Sequence, residues 1–184
     1  MKEKIVRFLN DLDKTLVPVA EGGRLPLYHL GRSALIWKYG FSSATKDIDF
    51  FQPSGESSLA SEALRLFGQG TAKAIECGLY LEFVPSALPP VADGYQKRAQ
   101  EFDGGWKVIR LFELGAHDLA VTKLRRFAAR DQQDLKDLCD FGLLDSAELE
   151  KRFESAMWKY VGERFREDAE VNLRAIQRYL QTGR

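Results

Sequence analysis

The chain has 184 residues, 45% of them hydrophobic, enough for one large domain, or a domain with a helical appendage, around a sizeable core. Its 27 basic and 27 acidic residues cancel, and they cancel again in each half, 10 against 10 in residues 1–92 and 17 against 17 in 93–184, so no global field draws a polyanion to it. Cys77 and Cys139 lie far apart without His or Cys neighbours at ligand spacing, which suggests neither a zinc cluster nor a disulfide framework, and no apolar run approaches the roughly 20 residues needed to span a bilayer.

Met1-Lys2-Glu3-Lys4 leads into an amphipathic segment rather than a signal peptide, and a cytoplasmic protein with no membrane partner is expected. Residues 3–17 place Ile5, Phe8, Leu9, Leu12 and Leu16 at helical spacing, and Pro18 with Gly22-Gly23 ends that helix. Leu25 to Leu30 reads as a strand, Ser33 to Tyr39 as a short helix, Asp47 to Phe51 as a second strand and Pro53-Ser54-Gly55-Glu56 as a turn. Residues 57–68 are helical by the stripe Leu59, Ala63, Leu64 and Phe67, with Gly68 and Gly70 at the close. One or two strands are expected in 71–84, the clearer being Leu79 to Val84, followed by a loop-rich stretch over 86–105 and a strand at Lys107 to Phe112. From Asp118 the chain is helical almost to its end, with breaks at Gly142 and Gly162. This order predicts an α/β (α+β) fold, a small mixed sheet covered by helices: a core with its N-terminal helix over 1–115 and a C-terminal helical subdomain over 116–184. Those last helices are amphipathic, through Phe153, Met157, Tyr160 and Val161 and then Val171, Leu173, Ile176, Tyr179 and Leu180; they cover the sheet or pair with a second chain, and the oligomeric state is not legible.

Chemistry concentrates in Thr45-Lys46-Asp47-Ile48-Asp49-Phe50-Phe51. Alternate strand residues face the same way, so Asp47 and Asp49 project side by side with Cα atoms about 7 Å apart, a spacing suited to sharing divalent metal. A second D-x-D, Asp11-Leu12-Asp13, is a useful control: in a helix residues two apart diverge, and Asp11 and Asp13 are expected to be surface charges. Upstream, Tyr28-His29-Leu30-Gly31-Arg32-Ser33-Ala34-Leu35 reads as a strand, a glycine turn and the opening of a helix, an arrangement that holds phosphate. His29 is expected to pack or cap rather than act as a base, His117 to start a helix, and Trp37, Trp106 and Trp158 to serve core or interface packing. The best basic cluster is Lys123, Arg125, Arg126 and Arg130, which equally suits a solvated helix face.

Leu30-Gly31-Arg32-Ser33-Ala34-Leu35 together with Thr45-Lys46-Asp47-Ile48-Asp49-Phe50 resembles the signature of the DNA polymerase beta-like nucleotidyltransferase superfamily. Asp118-Leu119-Ala120-Val121-Thr122-Lys123-Leu124 with Arg130-Asp131-Gln132-Gln133-Asp134-Leu135 is similar to the lysine and R-D-x-x-D elements of small prokaryotic members, among them the abortive-infection type IV toxins. The resemblance spans roughly residues 25–140. It implies transfer of a nucleoside monophosphate from an NTP to a hydroxyl of an RNA, protein or small-molecule acceptor, a tRNA or protein acceptor and a cognate partner protein in a toxin–antitoxin type system, and Mg²⁺ or Mn²⁺ as cofactor. It casts Asp47, Asp49 and Glu82 as catalytic metal ligands, Gly31, Arg32, Ser33 and Lys123 as nucleotide contacts, the Ser33 hydroxyl as a phosphate donor, and Asp131 as a subsidiary candidate. Glu82 stands where such proteins usually carry an aspartate, so an edge-strand charge remains an alternative, as do Asp93 or Glu76 in its place. Asp131, Asp134, Asp137 and Asp140 also recur at three-residue spacing, as on a charged helix face paired with Arg126 or Arg130. The pattern departs at Arg32, where glycine is usual; its guanidinium crowds the phosphates or binds them by a fork, and the fork is favoured. If Arg32 and the third carboxylate mark lost catalysis, the alternative is a nucleotide- or RNA-binding regulatory module on the same fold.

Overall fold

The computed structural model describes residues 1–53, 57–85, 88–160 and 162–183. The chain divides into two compact units, one of Met1–Pro85 and Ala99–Glu113, the other of Ser86–Arg98 and Leu114–Arg184.

The first unit holds helix α1 (Lys2–Leu16), strand β1 (Leu25–Leu30), α2 (Gly31–Tyr39), β2 (Asp47–Phe51), α3 (Ser58–Phe67), α4 (Ala72–Cys77), β3 (Tyr80–Val84), β4 (Gln100–Phe102) and β5 (Ile109–Glu113). The strands make one mixed sheet in the order β3-β2-β1-β5-β4. Strand β1 runs antiparallel to β2 and parallel to β5, β2 is parallel to β3, and β4 is antiparallel to β5. Period-two alternation divides the sheet into two faces. Leu25, Leu27, His29, Ile48, Phe50, Leu81, Ile109 and Leu111 share the dry one and are all buried. Helix α2 packs on β1 and β2, α3 and α4 pack on β3, and α1 meets α2 and α3. The apolar stripe of α1 is fully used: Ile5, Phe8, Leu9, Leu12 and Leu16 are buried, and Phe8 meets Phe67 of α3 edge to face at 5.3 Å. The opposite face carries Asp47 and Asp49 beside Tyr80 and Glu82, and farther along Tyr28 stacked on Phe112 with ring centroids 4.7 Å apart.

Three expectations for this unit are corrected. Residues 72–77 are helix rather than strand, because Thr71 caps the Ala74 N–H and Gly78 closes the turn at φ +58°. Leu64 is exposed, since Leu59, Ala63 and Phe67 already fill the buried side of α3. Asp13 is not a surface charge: it is buried, and its carboxylate accepts the Lys107, Val108 and Ile109 N–H groups at 3.1, 2.7 and 3.0 Å, tying α1 to the start of β5. The turn expected at Pro53-Ser54-Gly55-Glu56 falls, beyond Pro53, outside the described residues, as does Val161.

The second unit holds α5 (Tyr95–Arg98), α6 (Ala116–Leu124), α7 (Ala129–Asp140), α8 (Ser146–Ala156) and α9 (Glu163–Thr182). Helix α6 is its centre. Apart from His117 its residues are buried, and α7, α8 and α9 pack around it. Arg98 of α5 forks onto the buried Asp118 carboxylate at 3.1 and 2.6 Å. Besides the expected break at Gly142, the chain turns between α6 and α7, with Phe127 at φ +46°. Trp37 is buried, and Trp158 is largely exposed and donates to Asp93. Val171 of α9 is also exposed, because Ala169, Leu173 and Ile176 define its buried side.

Candidate active site

The parallel register of β2 and β3 sets Asp47 opposite Tyr80 and Asp49 opposite Glu82. Four polar side chains therefore stand together on one face of the sheet. One carboxylate oxygen each from Asp47, Asp49 and Glu82 lies within 4.8 Å of the other two, with Glu82 exposed and the aspartates half-buried. Thr45, two residues before Asp47, donates its hydroxyl to the Asp47 carboxylate and so fixes that side chain from outside the strand. Tyr80 registers the accumulated charge: its phenol is raised above the usual range by burial and then by Asp47, Glu82 and Asp49. Three hard oxygen donors at this separation could hold a metal ion.

The glycine turn is built against the same carboxylates. Leu30 pairs with Asp49 across β1 and β2, and Gly31 opens α2 at φ +70°. A Cβ at Gly31 would overlap Asp49 Oδ2 and stand 2.9 Å from its Cγ, so the absent side chain is what lets the acid lie on the turn. The N-cap residue of α2, Leu30, supplies no side-chain cap, and the positive end of the helix dipole lies at this turn. Arg32 is half-buried at the second position of this turn.

Ser33, expected to offer its hydroxyl to phosphate, is turned inward instead. It is fully buried, its Oγ lies 2.9 Å from His29 Nε2 and 3.4 Å from the Asp49 N–H, and it donates to the Leu30 carbonyl at 3.4 Å. His29 packs as expected, against Phe50 at 5.1 Å; burial depresses its pKa to about 3, so the ring is neutral.

The remaining predicted residues lie in the second unit or apart from the acids. Lys123, expected as a phosphate contact, is buried in α6 with its ammonium 2.6 Å from the buried Asp134 and 3.6 Å from the buried Asp131. Asp131 and Asp134 are likewise not on a solvated helix face. Asp131 takes two hydrogen bonds from Arg126 and one from the Ala128 N–H. Burial opposes its ionisation, but Arg126 and Lys123 outweigh that and hold its pKa below the usual range. The cluster Lys123, Arg125, Arg126 and Arg130 is thus not a shared basic surface, since two of its members are spent on these aspartates. Of the alternatives to Glu82, Asp93 engages Trp158 and Lys159, and Glu76 pairs with Lys73 at 3.6 Å. His117 opens α6 and its Nε2 accepts the Asp145 N–H at 2.9 Å. Thr45 and the inward Ser33 were not foreseen; the first is signalled only by a hydroxyl two residues before the acid pair, the second by nothing in the local pattern.

No curated protein and no solved structure matches this chain. The family model described as nucleotidyltransferase of unknown function (DUF6036) matches residues 5–181, nearly the whole chain, and the protein belongs to that family.

Proposed function

We propose that the protein is a metal-dependent nucleotidyltransferase that moves a nucleoside monophosphate from an NTP to a hydroxyl on an RNA, protein or small-molecule acceptor. The observation that carries this is the meeting of Asp47, Asp49 and Glu82 within 4.8 Å of one another, directly against a glycine turn at a helix N-terminus. Asp47, Asp49 and Glu82 are the residues that hold Mg²⁺ or Mn²⁺. When bound, the ion neutralises phosphate charge and makes an acceptor hydroxyl more acidic. The N-terminal amides of α2 and the Arg32 guanidinium bind and orient the triphosphate. In the reaction the acceptor oxygen forms a bond to the α-phosphorus, the bond from that phosphorus to the bridging oxygen breaks, and pyrophosphate leaves with the electron pair. Glu82, the most exposed of the three acids, takes the proton from the acceptor hydroxyl. Thr45 keeps the Asp47 carboxylate in place throughout.

A tRNA or protein acceptor, and a partner in a toxin–antitoxin type pair, follow from the resemblance of the motifs to toxin nucleotidyltransferases and belong to the same proposal. The test is incubation of the chain with each of the four α-labelled NTPs, Mg²⁺ and cell extract. Label is expected on an acceptor with wild-type protein and not with Asp49→Asn. No transfer from any of the four overturns the proposal, and nucleotide binding that Asp47→Ala leaves intact identifies a regulatory module instead.

A further inference from the structure

We propose that His29 and Ser33 form a positioning link that locks the Asp49 segment of β2 to the glycine turn, a role that rests on Asp47, Asp49 and Glu82 being metal ligands. Both side chains are fully buried, so neither reaches a substrate and neither is a catalytic residue. Their hydrogen bonds nevertheless connect the two halves of the site. Ser33 sits in the first turn of α2, and its Oγ faces the Asp49 N–H on β2 as well as His29 on β1.

The tautomer follows from which atoms have partners. His29 Nδ1 is buried without a hydrogen-bond partner among the described residues. A buried bare lone pair is a smaller loss than a buried N–H with no acceptor, so the proton belongs on Nε2. Nε2–H then donates to Ser33 Oγ, that oxygen also accepts the Asp49 N–H, and the Ser33 hydroxyl donates to the Leu30 carbonyl. With two bonds accepted and one donated, the hydroxyl has a single defined orientation, and the orientation of Asp49 is tied to the turn where phosphate is expected. Groups behind metal ligands commonly control affinity in this way.

The experiment uses the full chain with Mn²⁺ alone as probe, followed by electron paramagnetic resonance. Wild-type protein is expected to bind Mn²⁺ and Asp49→Asn to lose it; a wild-type chain that binds none overturns the metal reading and the link with it. Where wild type binds, Ser33→Ala and His29→Phe are expected to weaken Mn²⁺ about tenfold, and His29→Gln, which keeps an N–H donor, to stay within about threefold of wild type. Folded Ser33→Ala and His29→Phe with unchanged affinity overturn the link alone, as does His29→Gln performing no better than His29→Phe. Should these variants not fold, the wild-type ring decides: long-range ¹H–¹⁵N spectra at pH 6 are expected to show a neutral Nε2–H tautomer, and an Nδ1–H or charged ring overturns the proposal.

Discussion

Gly31 answers two demands that no other residue meets together. Its φ of +70° lies in the left-handed region, where a side chain costs about 1 kcal/mol, and the space a Cβ needs is filled by the Asp49 carboxylate. Gly31→Ala therefore moves either the turn or the acid. Because a displacement of about 1 Å at a reacting centre lowers rate roughly a hundredfold, nucleotide transfer by Gly31→Ala is expected to fall by about that factor while circular dichroism stays native. His29 yields a second prediction at this scale, on stability. Its pKa drops from 6.5 to about 3 on folding, so the unfolded chain binds a proton the native chain refuses, and the native state loses stability as pH falls below about 6.5. Between pH 6.5 and 5 this loss amounts to roughly 1.5 kcal/mol. Denaturant melts of wild type against His29→Gln are expected to show the pH slope shrinking by that amount in the variant.

At the scale of elements, Asp13 shows how a helix can be fastened to a sheet by one carboxylate. Three backbone N–H groups at the start of β5 converge on it, and Asp13→Ala leaves all three without that acceptor, those of Val108 and Ile109 in a buried place. The expected cost is about 3 kcal/mol, read as a lower midpoint in urea, with Asp13→Asn recovering part of it. Nothing in Asp11-Leu12-Asp13 announces this, because the partners lie more than ninety residues away; helical period distinguishes inside from outside only when the inward residue is apolar. The strands, by contrast, were legible to the residue at β1 and β2, since alternation and the flanking glycine and proline punctuation are local. Residues 72–77 were misjudged for the opposite reason: six residues carry too little periodicity to separate helix from strand, and the Thr71 cap and Gly78 stop were the usable signals. In the site, Asp47, Asp49 and Gly31 were readable because strand period and turn chemistry are encoded side by side. The partners of Lys123, Asp131 and Asp134 were not, since α6 and α7 meet by tertiary packing and turn a charged-looking face inward.

For the whole molecule, balanced charge means that a polyanionic substrate gains nothing from long-range attraction and that the acid cluster must be neutralised locally. Three carboxylate oxygens within 4.8 Å of one another repel, and that repulsion opposes folding until a cation enters. A divalent ion that binds only the native arrangement stabilises it by mass action, about 2.7 kcal/mol at a hundred times its dissociation constant. For a chain of this length each kcal/mol moves the melting point by roughly 3 °C, so saturating Mn²⁺ is expected to raise it by about 8 °C over protein in EDTA. Asp49→Asn removes one charge and, in the proposed metal site, one ligand together. It is expected to show almost no response to Mn²⁺. Differential scanning calorimetry of the two proteins with and without the ion tests both expectations, and a Mn²⁺ shift that survives intact in Asp49→Asn would place the ion somewhere other than between β2 and β3.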